Sequence, residues 1–169
     1  MKAYVETYNR IKDVLESSAL EFNHIGFWMR NVERHIAGGG FMFQDKSIFI
    51  EFPFSQTASD GSYHQYYFDS LTINIHVVTT CIGEDFLTSL LYAQEVHEIL
   101  AHQSFNFSND NGGFSELKLD SFTQDLATKD KYDMVFSYTT KLTDSTTRRE
   151  KKLIEVNAKH VINKDIDNG

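Results

Sequence analysis

The chain is short of the residues that build most recognisable sites. It has a single cysteine, Cys81, so no disulfide can close within it, and a reducing compartment is the simpler expectation. Its single proline, Pro53, leaves few rigid loops, and one tryptophan, Trp28, stands against 14 Phe and 8 Tyr. Positive charge is scarce as well: 16 Lys and Arg face 24 Asp and Glu, for a formal net charge of −8. Binding a DNA backbone needs clustered cations, so this balance disfavours a nucleic-acid reader, although it leaves room for a partner with a basic patch. No stretch approaches the ~18 apolar residues of a membrane span. The opening "MKAYVETYNRIKDVLE" alternates charge and lacks the apolar core of a signal peptide.

Reactive centres are equally sparse. The stretch "AQEVHEILAHQ" suggests a zinc-protease helix, but that motif needs histidines four positions apart. His97 and His102 are five apart, which on a continuous helix separates them by about 140°. No other histidine has a partner at metal-ligand spacing, so neither metal nor cofactor is expected. His97 instead falls in an apolar stripe with Phe86, Leu90 and Leu100, a place for a buried or interface-facing side chain. Gly38, Gly39 and Gly40 lead into "FMFQ" rather than Gly-Lys-Ser/Thr, so they read as a turn and not a phosphate loop. Cys81 ends an apolar strand beside Glu84 and Asp85, which disfavour a thiolate. There is no G-x-S-x-G nucleophile elbow, and nothing marks a catalytic residue.

What is present is a chain of ordinary length for one domain: 169 residues, 41% hydrophobic and 24% charged. Tyr4, Tyr8, Ile11 and Leu15 form one stripe of an amphipathic helix over residues 3–20. "SIFIEF" alternates as a strand that Pro53 ends, with Glu51 on its more polar face. The longest β signal is "QYYFDSLTINIHVVTT", in which Leu71, Ile73, Ile75 and Val77 share one face. A second helix carries Phe86, Leu90, Ala93, Val96 and Leu100. "FSELKLDSF" and "KYDMVFSYTTKLTD" follow as strands, with "TQDLATKDK" expected as a polar connection between them. The order implies an α+β two-layer sandwich: a twisted, mainly antiparallel sheet of about four strands with two main helices on one face. A single domain over 1–144 is expected. Residues 145–169 are a C-terminal extension whose basic run, Arg148, Arg149, Lys151 and Lys152, suits a solvated segment or an acidic patch on a neighbouring copy. Glu51 and His97 join that run as candidate interface residues.

The succession "SIFIEFPF", "LTINIHVVTT", "DFLTSLLYAQEVHEIL", "NDNGGF" and "KYDMVFSYTTKL" resembles the tail-terminator (tail-completion) proteins of tailed phages, of the type associated with Bacteroidetes phages and prophages. The resemblance spans about Ala3 to Leu142 and rests on the order of segments, since none of them is diagnostic alone. It implies a structural virion protein, made in the host cytoplasm, that forms a ring, commonly a hexamer, on the head-proximal end of the tail tube. Such a ring ends tube polymerisation and offers the head connector a docking surface. Its partners are further copies of itself, the tail tube protein and the head connector or neck protein. DNA passes through the lumen without specific binding, and no membrane or catalysis is involved. Two rivals stand beside it. One is another head–tail connector, a head-completion or neck protein. The other is a small α+β enzyme or ligand-binding domain that uses the aromatic stretch "IGFWMRNVERH" as a pocket, with Arg30, Glu33, Arg34 and His35 close to Trp28. Against that pocket, Phe27 and Trp28 can equally anchor the first helix to the sheet.

Overall fold

Two long strands organise the chain. In the computed structural model β4 (Gln65–Thr80) and β8 (Lys131–Asp144) pair antiparallel from Tyr66↔Asp144 to Thr80↔Lys131. Their bounds match the two strongest alternating runs in the sequence, because period-2 patterning over this length has no helical solution. The structure describes residues 2–28, 45–53, 59–61, 65–80, 86–106, 112–128 and 131–144.

The remaining elements are α1 (Lys2–Glu16), β1 (His24–Phe27), β2 (Ser47–Glu51), β3 (Ser59–Gly61), α2 (Phe86–Leu100), β5 (Phe105–Asn106), β6 (Gly112–Phe114) and β7 (Lys118–Thr128). β2 and β3 pair with opposite ends of β4 on one side, while β7 and β6 pair with opposite ends of β8 on the other. β1 extends the sheet beyond β2 and β5 extends it beyond β6.

The α+β class and the two helices follow the expectation from sequence, but the sheet departs from it. The sheet is larger than the expected four strands, since eight take part; it is mainly antiparallel as expected, with one parallel pairing, β1 with β2, among the described residues. It also curls into a half-barrel instead of lying as the twisted layer of a sandwich. Register shifts at Phe68/Leu71 on β4 and at Leu119/Ser121 and Leu126/Thr128 on β7 provide the physical reason, since an extra residue on one strand bends it and sharpens its twist. β1 was hidden from a pattern reading because "HIGF" is too short to show a period. The segment expected as a polar connection, "TQDLATKDK", is instead the second half of β7 running into β8. β7 is exposed from Lys118 to Gln124, so its polar residues face solvent and the sequence loses its alternation.

Both helices cover the same face. Ile11 and Leu15 of α1 and Tyr92, Ala93, Val96 and Leu100 of α2 pack on Leu71, Ile73, Ile75 and Val77 of β4, with Ile48 and Ile50 of β2 and Met134, Phe136 and Tyr138 of β8. Phe27 touches Tyr8, with ring centroids 6.1 Å apart, and so ties β1 to α1. α2 stops at Leu100, and His102 adopts a left-handed φ of 63°. The first helix is likewise shorter than expected, ending at Glu16, after which the Ser18 hydroxyl donates to the Leu15 carbonyl at 2.6 Å. Among the described residues no helix is long and apolar enough to cross a membrane.

Ile75 is fully buried between Ile50 and Phe136 in register. Ile75→Ala should lower the unfolding free energy by about 2–5 kcal/mol through lost burial plus a cavity. Thr123→Ala on exposed β7 should change it by less than about 0.5 kcal/mol. Urea midpoints of the two variants check this; equal midpoints would remove Ile75 from the core.

Candidate functional site

The sheet face turned away from the helices carries the densest polar cluster among the described residues. In register, Phe49 and Glu51 of β2 lie opposite His76 and Asn74 of β4, and Val78 of β4 lies opposite Asp133 of β8. Alternation brings Glu51, Asn74, His76 and Asp133 to one side of three adjacent strands. His76 Nδ1 lies 3.0 Å from Asp133 Oδ2, and His76 Nε2 lies 3.4 Å from Glu51 Oε2. Asn74 Nδ2 donates to the same Glu51 oxygen at 2.6 Å. The Trp28 indole stacks flat on the His76 imidazole, at 3.8 Å between centroids and 7° between planes. Trp28 also meets Phe49 edge-on at 5.5 Å, and the Trp28 backbone N–H donates to the Ile50 carbonyl. Phe49 and Val78 are fully buried beneath it.

His76 therefore sits between two carboxylates and under an aromatic face. Burial, the largest single influence, pulls its pKa down. Hydrogen bonds to the Asp133 and Glu51 carboxylates, followed by their charges, together outweigh burial and leave it above the ordinary imidazole value. Both ring nitrogens face carboxylate oxygens, which only the doubly protonated ring satisfies by donating from each. With its nitrogens engaged this way, the cluster offers no ligand set: no group of three or more His, Cys, Asp and Glu among the described residues could hold a metal ion. What the arrangement does is clasp β2, β4 and β8 across the face that the helices leave uncovered.

The residues singled out by sequence divide among different places. Glu51 is partly buried within this cluster and serves as the acceptor for Asn74 and His76. His97 faces the sheet: its ring stacks on Phe136 at 5.4 Å and 7°, and its Nδ1 is hydrogen-bonded to the Tyr138 hydroxyl at 2.7 Å. Burial raises the Tyr138 pKa above that of an ordinary phenol. His102, compared with His97 as a metal ligand, lies beyond the end of α2 and its Nδ1 meets Glu116. The separation of the two histidines therefore comes from helix termination and not from rotation around a continuous helix. Arg148, Arg149, Lys151 and Lys152 lie outside the described residues, as do Gly38–Gly40, Cys81 and the pocket residues Arg30, Glu33, Arg34 and His35.

Trp28 is placed differently from its expected partnership with Phe27. Phe27 points to the helix side, but Trp28 crosses to the other face. Sequence reasoning missed His76 and Asp133 altogether. The available signal was polar residues on the second face of two strong strands; their meeting depends on register, which sequence alone does not supply.

A second surface lies on the helix side of the sheet, along β7. Leu87 and Leu91 are exposed on α2, on the side of the helix turned away from the buried Ser89–Tyr92–Ala93–Val96–Leu100 face. Leu119 and Phe122 are exposed on β7, and Phe122 touches Phe136 at 4.8 Å between centroids.

No known protein family matches the chain, and no curated protein matches it either. Function is therefore argued from these two surfaces.

Because the folded imidazole binds its proton more tightly than the unfolded one, the cluster's contribution to stability is complete below the ordinary histidine value. It declines as pH rises from there through the raised folded value. Asp133→Asn should move the His76 pKa downward and flatten that decline. Nuclear magnetic resonance titration of the His76 ring in both proteins reads the shift, and an unchanged pKa would show that Asp133 does not hold the proton in place. Separately, Tyr138→Phe should cost about 1 kcal/mol by removing the bond to His97, measured in thermal melts against the parent.

Proposed function

We propose that this chain is a structural virion protein that caps the head-proximal end of a phage tail tube as a ring, ends tube polymerisation and presents a docking surface to the head connector. The observation that carries the reading is the exposed outer edge at β7, which carries Leu119 and Phe122. A ring closes by repeating one heterologous contact, which needs two different complementary surfaces on each copy. Long edge strands with exposed apolar side chains invite pairing with another chain and persist where a partner covers them. Phe27 and Val5, also exposed, sit on β1 and α1 at the opposite edge of the sheet, so the two edges differ in shape and chemistry. The resemblance of the segment order to tail-terminator proteins supplies the biological setting, and a hexamer is the stoichiometry it brings. Residues 145–169 serve as an intersubunit or partner-binding arm in this reading. The acidic excess would keep a lumen unattractive to the phosphate backbone as DNA passes.

The Glu51–His76–Asp133 cluster has a structural part in this account. It stiffens the face not covered by helices, where a ring must hold its shape against its neighbours. No catalytic role is assigned to it, because both imidazole nitrogens and the ring face are already engaged within the protein.

Tail tube protein polymerised in the presence of this chain should give tubes of limited length, with the added chain at one end only in negative-stain images. Unchanged tube lengths and no end decoration at saturating protein would reject capping. Binding to filled heads but not to tubes would instead select a head-completion or neck protein.

A further inference from the structure

One cavity lies apart from both surfaces. It has a volume of about 230 Å³ and sits where the C-terminal end of β4, the residues leading into β2 and the first half of α2 meet. Thr79, Thr80, Thr88, Ser89 and Tyr92 line it with hydroxyl groups, and Asp45 and Lys46 add one charge of each sign. Two of those hydroxyls set the problem. Thr79 and Tyr92 are 3% and 6% exposed, and neither hydroxyl has a hydrogen-bond partner among the described residues. A buried hydroxyl without a partner destabilises the fold that holds it. Two of them in the wall of one cavity serve no structural purpose there, but both suit a polar ligand. The cavity is also far larger than one bridging water needs, at about 30 Å³ each.

The more exposed side of the cavity is held in place. Asp45 Oδ1 accepts from the Thr80 backbone N–H at 2.8 Å. Asn23 Nδ2 donates to the Asp45 carbonyl at 2.7 Å, and the Asn23 N–H to the Lys46 carbonyl at 3.1 Å. Lys46 stands at a left-handed φ of 53°, where glycine would be less strained, and its Nζ lies 5.3 Å from the centre of the Tyr92 ring. The local charges cancel. Lys131 Nζ donates to Thr80 Oγ1 at 2.6 Å, so Lys46 and Lys131 are the cations that bear on the cavity. Asp45 and Glu95 are the anions: after burial, their charges raise the Tyr92 pKa above that of an ordinary phenol. Tyr92 therefore presents a hydroxyl at neutral pH, able both to donate and to accept.

We propose that this cavity binds a small uncharged polyhydroxy compound, of monosaccharide size or below, through the hydroxyls of Thr79 and Tyr92. A cavity of zero net charge has no use for an ionic ligand. Walls made of hydroxyls call for groups that donate and accept in turn, which is the chemistry of a polyol. Lys46 adds a donor and Asp45 an acceptor at the exposed side. This site goes beyond the capping reading and shares no residue with the β7 edge.

Tyr92→Phe and Thr79→Val in the full chain test it, since each removes one hydroxyl and keeps the side chain's shape. Without added ligand, both variants should melt at or above the parent temperature, because the lost hydroxyl had no partner. D-glucose and glycerol are the probes, with sodium acetate as the charged control. Polyols stabilise proteins generally by exclusion from their surface, so binding is read from amide chemical shifts and not from melting. At least one polyol should give saturable shifts at Thr79, Ser89 and Tyr92 in the parent, and acetate none. Each substitution should weaken that binding about 2–10-fold, the effect of one hydrogen bond. Shifts that never saturate with either polyol, or equal affinity in parent and variants, would overturn the site. So would a lower melting temperature in either variant, which would give the hydroxyl a structural partner. Acetate binding as tightly as the polyols would overturn the uncharged class. Tubes capped by a parent that binds no polyol would remove this inference alone, and polyol binding by a parent that leaves tubes unchanged would remove the capping alone.

Discussion

The pairing of β4 with β8 is the constraint on which the rest of the molecule depends. Each strand is long, and they stay in register from Ile73↔Tyr138 to Thr80↔Lys131. One face of this ribbon is sealed by both helices. At the β4 C-terminal end the other face is also closed, by Trp28 and Phe49 over Val78 and His76. A ribbon this long cannot be covered by single neighbours, so each flank is shared: β2 and β3 along β4, β6 and β7 along β8. The bulges that allow this sharing also bend the sheet into its half-barrel.

The polar cluster follows from the same register. Placing a histidine on the second face of a central strand is costly unless its charge is balanced. Here β2 and β8 each supply a carboxylate, and the segment after β1 supplies an aromatic lid. A shift of one residue between β4 and β8 would turn Asp133 to the helix side and leave the imidazole without its closer partner. The cluster thus penalises wrong registers of the strand pair that defines the fold.

The uncovered part of the ribbon has the opposite character. β7 continues past the region the helices cover, so its apolar residues have solvent where β4 has a core. Leu119 and Phe122 lie on the same face as buried Tyr138 and Phe136, and extend the core outward to an edge. Exposed apolar surface continuous with a core, on an edge strand, is the physical basis for reading this domain as one that works by contact with other chains.

The sequence by itself determined the elements whose pattern is long enough to have one solution: both helices, β2, β4 and β8. It also placed His97 in the apolar stripe of α2, where the structure finds it over Phe136 and Tyr138. Short β1 and solvent-facing β7 carried no period that could announce them. Only the tertiary structure decided which polar residues meet. Glu51, His76 and Asp133 are separated along the chain, and their proximity is set by strand register, which hydrogen bonding and side-chain packing select jointly across the sheet. The same holds for the edge at β7, since the exposure of Leu119 and Phe122 depends on how far the helices cover the sheet and not on the residues themselves.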